Sequence, residues 1–464
     1  MTACRRAFFS AETAAVPEQT TPRQGQPARV QVLGRYYQTD ACYNVPTNVL
    51  AATSRRLYLQ KDHPLYITRK IIESKFPEPT FRYWNGLHPV VTTDENFDSL
   101  GFPPDHPGRH PSDTYYINKT TLLRTHTSAH EAGLFRISKT DGYLVSGEVF
   151  RRDEVDRSHY PVFHQMEGAR TWDRAKVPDG DIVAAVRDDS ARLPEHGIEV
   201  DDPHPPHHPE RNPLQAEHHS AAEAEAIGQH LKRSLELVVV EIFSRAKAAA
   251  ARADPLYVDR PLRMRWVEAY FPFTSPSWEL EVYHEEEWLE VLGCGVTKQE
   301  IYINAGRPSQ LGWAFGLGLD RIAMLLFKIS DIRIFWSQDT RFQKQFSGVS
   351  KNLDLLRPFR PFSKHPACYK DVSFWLRSSS SAQGDARPFH ENDLMEIVRS
   401  VAGDVVEDVK LVDDFTHPAT GRRSLCYRIN YRSLERTLTN FETNQLHEAV
   451  ERALVEGLGV EIRD

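Results

Sequence analysis

Arginine, histidine, glutamine and glutamate, which are residue types that bind charged ligands, are concentrated in one short stretch of the chain. It reads FRRDEVDRSHYPVFHQMEG, spans Phe150–Gly168, and both of its ends are typical of β-strands. Alternation along the second strand places Phe163, Gln165 and Glu167 on one face and His164 and Met166 on the other. Buried polar groups without partners cost several kcal/mol, so these side chains either satisfy one another or bind a polar ligand. The stretch alone leaves open an edge hairpin with ordinary surface charge.

A second cluster, GLGLDR at Gly316–Arg321, lies where a strand meets a helix. Gly316 and Gly318 allow a flat ring or a phosphate to approach the backbone, and Arg321 can bind phosphate oxygens through a bidentate fork. The chain contains no GxxxxGKS/T loop, and its glycine spacing does not fit a dinucleotide-binding fingerprint. Glycine pairs are common at close-packed strand–helix junctions, so this cluster indicates a ligand site only together with the hairpin.

Apolar spacing predicts the elements that position both clusters. Helices are expected near His63–Phe76, over Ala221–Ala251 and directly after the glycines, where Leu319, Ile322, Ala323 and Leu326 fit one helical face. Strands are expected at Pro89–Thr93 and in three runs between Met264 and Asn304. Predicted strands and helices therefore flank both the hairpin and the glycine cluster.

Composition places the chain among ordinary globular proteins. With 464 residues, of which 40% are apolar and 26% charged, it is long enough for about three domains. Its five cysteines are far apart and form no CxxC pair, which argues against a zinc site or a disulfide framework. No run approaches the ~18 apolar residues of a membrane span. The formal charge of −7 gives no global sign of nucleic-acid binding, but it leaves room for a local positive patch.

Shifts in composition mark the domain boundaries. The start of the chain carries arginine, serine, threonine and alanine with few acids, which is typical of an organelle transit peptide or of a disordered tail. His204, His207 and His208 lie in a segment rich in proline and acids and lack the spacing of metal ligands, so a solvated insertion is favoured there. The expected ranges are 1–42 for the N-terminal extension, 43–346 for a core region with the insertion at 179–220, 347–360 for a proline-rich linker and 361–464 for a further domain.

The region beyond the linker predicts a small domain of alternating strands and helices. The expected order is strand 367–376, helix 391–402, strand 405–412, strand 424–431, helix 444–457 and strand 459–463. This βαββαβ order is that of a ferredoxin-like domain. Tyr427, Ile429 and Tyr431 alternate with Arg428, Asn430 and Arg432, as expected of a sheet packed on one face only.

Together, the two polar clusters resemble motifs 2 and 3 of the class II aminoacyl-tRNA synthetases. HPVVTTDENFD, LLRTHTSAH, YFPFTSPSWE, EWLEVLGCGV and GWAFGLGLDR narrow the resemblance to the catalytic subunit of phenylalanyl-tRNA synthetases. KDVSFWL and the ferredoxin-like tail resemble the anticodon-binding domain of that family, and both parts in one chain are similar to its mitochondrial, single-chain form. The resemblance runs from about Tyr43 to Asp464. It implies an α+β fold, with an antiparallel sheet flanked by helices and then the ferredoxin-like domain.

The resemblance also implies a reaction in two steps. Phenylalanine attacks the α-phosphate of ATP to give phenylalanyl-adenylate and pyrophosphate, and the 2′-hydroxyl of the terminal adenosine of tRNA then opens the adenylate. Positioning and neutralisation of charge, usually with Mg²⁺, promote such steps without a side-chain nucleophile. The expected partners are therefore ATP, Mg²⁺, L-phenylalanine and tRNA(Phe).

By the same resemblance, the nucleotide site combines both arginines. Arg151 would hold the α-phosphate and Arg321 the γ-phosphate, and these two are the expected catalytic residues. Phe163 would stack on the adenine. The expected ATP-binding residues are Arg151, Asp153, His159, Phe163, Gly316, Gly318 and Arg321.

The amino-acid site is expected to join polar and aromatic groups. Phe271 and Phe273 suit edge-to-face packing on a substrate ring, although plain core packing is an open alternative. Gly295 and its small neighbours leave room for a phenyl ring, and Glu290 would contact the amino acid, help bind Mg²⁺ or pair with a local arginine. The expected contacts of phenylalanine or its adenylate are His126, Ser128, Ala129, His130, Glu131, Ser158, His159, Tyr160, Gln165, Glu167, Phe271, Phe273, Glu290, Gly293, Ala314 and Phe315.

A tRNA-binding patch in the last domain is a further hypothesis, with a solvated charged face as the alternative. Its expected residues are Lys364, Lys370, Arg422, Arg423, Arg428 and Arg432. The resemblance implies a monomer in the mitochondrial matrix, although motif 1 builds dimers in much of class II.

Two other functions remain open at this point. One is an adenylating ligase for another amino acid, against which YFPF and the small Ala314 favour an aromatic substrate. The other is a catalytically inactive RNA-binding relative, which would have lost Arg151, Arg321 or Glu167; all three are present.

Overall fold

The computed structural model describes residues 25–362, 365–377 and 388–463 of the chain. It consists of a large N-terminal region and a small C-terminal domain, each with a hydrophobic core of its own. No helix within these ranges is both long enough and apolar enough to cross a membrane. Residues 1–24, which hold most of the expected transit peptide, and Lys364 lie outside the described residues.

The N-terminal region is built on an eight-stranded sheet. Its strands, together with those of two small accessory sheets, are β1 (Arg29–Val32), β2 (Arg35–Gln38), β3 (Phe81–Trp84), β4 (Val90–Thr92), β5 (Tyr116–Asn118), β6 (Thr121–Leu123), β7 (Gly142–Phe150), β8 (Val162–Asp173), β9 (Val200–Asp201), β10 (Met264–Glu268), β11 (Thr274–His284), β12 (Glu287–Thr297) and β13 (Gln310–Gly318). The order across the large sheet is β3-β7-β8-β13-β12-β11-β10-β9. Only β3 with β7 and β9 with β10 run parallel in it, which confirms the expected antiparallel sheet.

Helices pack on both faces of this sheet, in the main core on one face and in a smaller core on the other. They are α1 (Thr47–Ala52), α2 (Pro64–Glu73), α3 (Thr93–Asn96), α4 (Glu131–Ile137), α5 (Ile182–Ala191), α6 (Ala221–Ala253), α7 (Gln299–Asn304), α8 (Leu319–Phe327) and α9 (Thr340–Lys344). The long helix α6 begins at a capping box in which Ser220 and Glu223 each accept from the other's backbone N–H. In α8 the predicted apolar face, Leu319, Ile322, Ala323 and Leu326, is buried.

The segment at 179–220, expected to be a solvated insertion, is partly folded. Most of its side chains are exposed, but it contains α5 and β9. Ile182 and Val186 of α5 are buried in the main core, and the Asn212 side chain hydrogen-bonds both the N–H and the C=O of Ser277. A few apolar residues and one amide are thus enough to dock the segment, which corrects the expectation that it is wholly solvated.

The proline-rich linker at 347–360 packs on the N-terminal region. Val349, Leu356 and Phe359 are buried in the main core. The N–H of Phe359 donates to the carbonyl oxygen of Phe327 at the end of α8 (2.6 Å). These apolar side chains hold the segment against the N-terminal region. It is therefore a packed segment, and its predicted range as a linker between the two parts stays a prediction.

The C-terminal domain has the predicted ferredoxin-like topology. Its elements are β14 (Cys368–Trp375), α10 (Glu391–Ala402), β15 (Val406–Thr416), β16 (Arg423–Tyr431), α11 (Asn440–Leu458) and β17 (Glu461–Ile462). The four strands are antiparallel in the order β15-β16-β14-β17. Tyr427, Ile429 and Tyr431 are buried beneath the helices and Arg428 is exposed, as alternation predicted. Asn430 is buried instead, where its amide donates to the carboxylates of two neighbouring residues of β15.

The C-terminal domain contacts the loop between β7 and β8 directly. Val155 of this loop is buried in the core of the C-terminal domain, and its carbonyl oxygen accepts from the N–H of Val409 (3.0 Å). Arg399 donates to the carbonyl oxygen of Asp153 (3.0 Å). Arg333 of the N-terminal region donates to three backbone carbonyls of the C-terminal domain. The loop of the polar hairpin is thus held between the two parts of the molecule.

Candidate active site

The register of the large sheet brings residues of both polar clusters onto one face. β8 pairs with β13 so that Gln165 lies opposite Gly318 and Glu167 lies opposite Gly316. Phe163 follows on the same side of β8, beyond the end of β13. The surface formed by Phe163, Gln165, Glu167, Gly316 and Gly318 is called the site face below. Because two of its members are glycines, a ligand can lie against the backbone of β13 there.

His164 and Met166 face away from the site face, as strand alternation predicted. Both are fully buried on the opposite side of the sheet. The backbone N–H of His164 donates to Asp320 Oδ2 (2.5 Å), and its ring lies 5.6 Å from that of Tyr58 and 5.8 Å from that of Trp336. Met166 belongs to the main core. The prediction for both residues is confirmed.

Phe315 also lies on the opposite side of the sheet. Its ring stacks on that of Phe76 in the main core, with 5.4 Å between the ring centroids. Ala314 and Gly316 point to the other side, because successive residues of a strand face opposite ways. This corrects the expectation that the Phe315 side chain contacts the substrate.

Small residues and two phenylalanines form a pocket at one end of the site face. Ala314 of β13 lies opposite Gly295 of β12, and Gly293 lies two residues earlier on β12. A methyl group on Gly293 would lie 2.5 Å from Cζ of Phe271, so this ring rests against the backbone of β12. The rings of Phe271 and Phe273 are stacked 6.0 Å apart, and both are half-buried. The predicted ring-binding residues are therefore brought together.

The polar end of this pocket is built from β8 and the turn at 127–130. Ser128 Oγ donates to Glu167 Oε1 (2.8 Å), and the N–H of Thr127 donates to Gln165 Oε1 (3.2 Å). Burial raises the pKa of Glu167 to about 7, against the hydrogen bonds from Ser128 and Thr127, which lower it. The side chain is therefore predominantly an anion, and able to bind a cation, only above neutral pH.

His126 lies at the start of the same turn. Its ring stacks on that of Phe102, with 5.5 Å between the centroids and 4° between the planes. Burial, together with the charge of Arg151, lowers the pKa of His126 to about 3. The imidazole is therefore neutral at physiological pH, beside the pocket and close to Phe273 (6.4 Å).

The three residues after Ser128 have different surroundings. Ala129 is buried in a small core with Val91 and Phe97. His130 Nε2 accepts from a buried arginine, Arg124 Nη1 (2.8 Å). Neither side chain is available to a ligand on the site face, which corrects the expectation for both.

Glu131 is fully enclosed behind the pocket. Burial and the neighbouring charge of Glu167 raise its pKa well above the usual range. Its Oε1 atom forms no hydrogen bond to any described residue.

Two arginines lie near the other end of the site face. The guanidinium of Arg151 lies 5.3 Å from the ring centroid of Phe163, and its Nε donates to the carbonyl oxygen of Thr125 (2.8 Å). Burial lowers the pKa of Arg151, with carboxylates too few nearby to offset it. Arg321 is exposed in the first turn of α8, with its Cβ 3.9 Å from where a methyl group on Gly318 would lie. The arrangement can bind an anion next to a flat ring.

Carboxylates lie beside Arg321. Its Nη1 donates to the backbone oxygen of Glu290 (3.3 Å), and the Glu290 side chain is exposed. Glu279 of β11 lies opposite Gly293, half-buried. Burial and the charge of Glu290 raise the pKa of Glu279 to about 7. Two oxygen donors of this kind suit a hard cation such as Mg²⁺.

The loop between β7 and β8 carries further predicted residues. Asp153 is half-buried and adds a negative charge near Arg151. Ser158 is exposed and donates to Asp156, and His159 Nδ1 lies 2.8 Å from Asp156 Oδ2, a contact that raises the pKa of His159. Ligand atoms of Glu154, Asp156 and His159 lie within 4.8 Å of one another.

Tyr160 turns toward the C-terminal domain. Its hydroxyl donates to Asp404 Oδ1 (2.8 Å), and its ring stacks on that of Trp336 (5.1 Å). This corrects the expectation of a substrate contact in the docked arrangement, because both the polar and the apolar part of the side chain are already engaged.

The residues expected to bind tRNA do not form one open patch. Arg432 lies at the contact between the two parts of the molecule and donates to the backbone oxygen of His365 (2.8 Å). Lys370 shares its strand face with buried Val372 and is half-buried. The four arginines are paired as Arg422 with Glu461, Arg423 with Asp414, Arg428 with Asp371 and Arg432 with Glu407. The expectation of a single positive patch is corrected for the described residues.

Two charged residues at the site were missed from the sequence. Glu279 lies in SWELEVYH, where alternation puts it on the same face as Ser277 and Glu281, a signal that was available. Arg124 precedes the turn at 127–130 in LLRTHTSAH, but nothing in the sequence shows that its side chain is buried beside β7.

Comparison with known proteins covers both parts of the chain. Residues 46–185 and 242–346 match the family model for the tRNA synthetases class II core domain (F), and residues 363–463 match the ferredoxin-fold anticodon binding domain. These ranges include the site face and leave the partly docked insertion and most of α6 between the two halves of the core match.

Several curated relatives are similar over nearly the whole chain. A mitochondrial phenylalanine–tRNA ligase of Saccharomyces cerevisiae is 49% identical over 455 residues, which cover 94% of this chain and 95% of the relative. The mitochondrial enzyme of Mus musculus is 41% identical over 450 residues, covering 95% and 90%. A chloroplastic/mitochondrial enzyme of Arabidopsis thaliana is 39% identical over 434 residues, covering 92% and 84%.

Proposed function

The chain belongs to the phenylalanine–tRNA ligases of class II, as its mitochondrial relatives do, and from this premise we propose how its residues divide the work of the reaction. The protein ligates phenylalanine to tRNA at the expense of ATP, for mitochondrial protein synthesis. One observation carries the assignment of roles: Gln165 and Glu167 stand over the glycines of β13, with Arg151 at one end and the Phe271 pocket at the other.

ATP binds with its adenine near Phe163 and its phosphates near the two arginines. Phe163 is half-buried and has the guanidinium of Arg151 near its ring, and Arg321 lies beside Gly318 of the site face. An adenine between Phe163 and Arg321 gains stacking on both faces. Arg151 then neutralises the α-phosphate and Arg321 the γ-phosphate.

Phenylalanine binds with its ring in the pocket of Ala314, Phe271 and Phe273. Its ammonium group meets the carboxylate of Glu167, which is the ionisable acceptor on the site face, and Gln165 completes the polar end. Neutral His126 and Ser128 line the same end without adding a competing charge. A tyrosine hydroxyl would meet apolar and glycine surface in this pocket, where it would lose its hydrogen bonds with water.

No side-chain nucleophile is required by either step. The carboxylate of phenylalanine attacks the α-phosphate, and a ribose hydroxyl later attacks the adenylate, so the nucleophiles belong to the substrates. The protein lowers the barrier by holding the groups in line and by placing cations where negative charge accumulates.

Class II synthetases generally use Mg²⁺ with ATP, and the donor set beside Arg321 fits this ion. Burial and the neighbouring charge of Glu290 raise the pKa of Glu279, and a cation bound to both carboxylates would offset this repulsion. Glu279 and Glu290 would hold Mg²⁺, whose charge would offset that of the phosphates.

The 3′ end of tRNA is expected at the loop between β7 and β8, next to Arg151. Val155 and Tyr160 of this loop are in contact with the C-terminal domain. The tRNA end therefore gains full access to the loop when the C-terminal domain moves off it.

The expected location and assembly are the mitochondrial matrix and a monomer. Supporting the monomer, α2 in the region of motif 1 is almost wholly buried against α6 and α8 of its own chain and leaves little surface for a partner. Light scattering of the purified protein gives its mass directly; a mass twice that of the chain would contradict this proposal.

A panel of amino acids in ATP–pyrophosphate exchange tests the assigned roles. We expect exchange with phenylalanine alone among the common amino acids. Glu167→Gln should abolish it, whereas the matched change at an exposed carboxylate, Glu217→Gln, should leave it unchanged. Exchange that survives Glu167→Gln with an unaltered KM for phenylalanine would overturn the role of Glu167.

A further inference from the structure

A buried arginine outside the assigned site lies against β7. Arg124 has no exposed surface, although arginine is rarely buried without a close carboxylate. Its Nε donates to the backbone oxygen of Glu148 (2.8 Å), and Nη1 donates to His130 Nε2 (2.8 Å). The backbone oxygen of Arg124 also accepts from Phe150 (3.0 Å), so the residue follows the free edge of β7 beyond the end of β3.

Because Gly147 has no side chain, the guanidinium of Arg124 can lie on the side of β7 that continues the site face. Gly147 lies opposite Gln165 in the register of β7 and β8, so a methyl group there would point to the same side as Gln165. That methyl group would lie 2.0 Å from Nη2 and 2.7 Å from Cζ of Arg124. The space is therefore filled by the guanidinium itself, which lies beside Gln165 under the turn at 127–130.

The charge of Arg124 is only partly compensated. Among the described residues its one carboxylate partner is Glu148 at 3.5 Å, longer than the roughly 2.7–2.9 Å of a strong charge-assisted hydrogen bond. Glu148 points to the opposite side of the sheet from Gln165, and its Oε1 forms no hydrogen bond to a described residue. A positive charge in such surroundings acts on the next carboxylate as well, because screening by water is weak there.

One carboxylate on which the charge of Arg124 acts is Glu167, which follows Gln165 on the site face. The groups facing it are Ser128 and Thr127 from the turn, Glu131 from α4, whose pKa is also raised, Tyr143 from β7, and the cations Arg124 and Arg151. Burial raises the pKa of Glu167, and the charge of Arg124 is among the influences that lower it.

We propose that Arg124 is a positioning residue for phenylalanine activation: seated against Gly147, its guanidinium supplies the fixed positive charge that keeps Glu167 anionic for the substrate ammonium group. The inference rests on the proposed role of Glu167. Arg124 itself touches neither substrate, because Gly147, Gln165 and the turn at 127–130 enclose it. Without this charge, Glu167 would take up a proton at a higher pH. The pocket would then lose the carboxylate that binds the substrate ammonium group at the pH at which the enzyme works.

The test is the pH dependence of kcat/KM for phenylalanine in ATP–pyrophosphate exchange, which reports ionisations of the free enzyme. The wild-type protein should lose kcat/KM as the pH falls through about 7, where Glu167 is protonated. This fall is the acid limb of the pH profile, and in Arg124→Gln we expect it to lie about one pH unit higher. At pH values below both limbs, that shift amounts to a tenfold loss of kcat/KM. The loss should appear in KM, with kcat at saturating phenylalanine little changed. Arg124→Lys, which keeps the charge, should restore most of the wild-type profile.

A second variant covers the case in which Arg124→Gln does not fold. Gly147→Ala should displace the guanidinium while leaving it in the protein, and it should shift the limb in the same direction. Gly86→Ala, where an added methyl group meets nothing within 4 Å, is the matched control. A folded Arg124→Gln or Gly147→Ala protein with the wild-type limb, or a loss in kcat that is equal at every pH, would overturn the proposal. Glu167→Gln then shows which role has failed. If this variant also retains the wild-type KM, the assigned role of Glu167 is wrong; if it abolishes activity, the role of Glu167 stands and only that of Arg124 is wrong.

Discussion

Individual residues of the site are held in states that favour binding over stability. Burial raises the pKa of Glu167 to about 7, and Arg151 carries a buried charge with few carboxylates near it. Both groups would be better solvated in the unfolded chain. In the roles proposed above, Glu167 meets an ammonium group and Arg151 a phosphate, so we expect ligand binding to remove this cost.

Glu167→Gln should therefore stabilise the free protein at alkaline pH. The folded-state pKa of about 7 lies above the roughly 4.3 of an unfolded glutamate. The wild-type protein thus loses stability as the pH rises from about 5 to 7, where only the unfolded chain releases the proton, and the amide removes this loss. We expect a higher midpoint of thermal unfolding for Glu167→Gln at pH 8, and no difference at pH 4.5 or below. A lower midpoint at pH 8 would contradict a destabilising buried carboxylate.

Arg321→Ala should impair adenylate formation without impairing the fold. Arg321 is exposed and, within the part of the chain that the structure describes, donates one hydrogen bond, at 3.3 Å to a backbone oxygen. Loss of a cation that meets developing charge typically costs about 10²–10³ in rate. We expect such a loss in phenylalanine-dependent exchange with an unchanged unfolding midpoint. Arg192→Ala, at an exposed arginine of the insertion, is the control; equal effects of the two changes would place Arg321 outside the site.

Gly293→Ala should weaken phenylalanine binding. The added methyl group would lie 2.5 Å from Cζ of Phe271, so the ring must move into the pocket that is proposed for the substrate. We expect the KM for phenylalanine to rise by about tenfold or more, equivalent to roughly 1.4 kcal/mol, with a smaller change in the KM for ATP. Gly86→Ala serves as the control. A rise in the KM for ATP alone would show that this pocket does not hold the amino acid.

At the scale of elements, strand alternation is what made the site predictable. It placed Phe163, Gln165 and Glu167 together and sent His164 and Met166 to the core, and helix α8 begins directly after Gly318 as the apolar spacing indicated. These predictions succeed because side-chain direction along a regular strand or helix follows from local geometry.

The errors concern contacts between elements distant in sequence. Phe315 was assigned to the substrate although it alternates with Ala314, and Tyr160 was assigned there although its partner Asp404 lies in the other domain. The Arg124 side chain packs against Gly147, which lies 23 positions later in the chain, and no local sequence pattern indicates this contact. Such pairings depend on the tertiary arrangement and are not encoded in the spacing of either segment.

At the scale of the whole molecule, the C-terminal domain holds the loop that the tRNA end must reach. Its core encloses Val155, and Glu396 accepts from Tyr115 across the same contact. The site face itself remains part of the N-terminal region, so the two steps of the reaction place different demands on the domain contact. We therefore expect amino-acid activation to proceed in the docked arrangement and transfer to tRNA to require the loop to be free.

Val155→Asp should show whether amino-acid activation depends on the contact between the two domains. A carboxylate in the core of the C-terminal domain costs several kcal/mol unless the loop leaves it, so the domains should undock. We expect a larger radius of gyration by small-angle scattering, with phenylalanine-dependent exchange retained within about threefold because the site face is unchanged. Val258→Asp, at a position that is 76% exposed, is the control. An unchanged radius with lost exchange would mean that the loop conformation, not the domain contact, was affected.

The most direct measurement of the central assignment is a crystal structure of the protein with a non-hydrolysable phenylalanyl-adenylate analogue. We expect the phenyl ring between Phe271 and Ala314, the ammonium group on Glu167, and the adenine between Phe163 and Arg321. An analogue bound with its ring outside the pocket of β12 and β13, or with its ammonium group away from Glu167, would contradict the assignment of the site face.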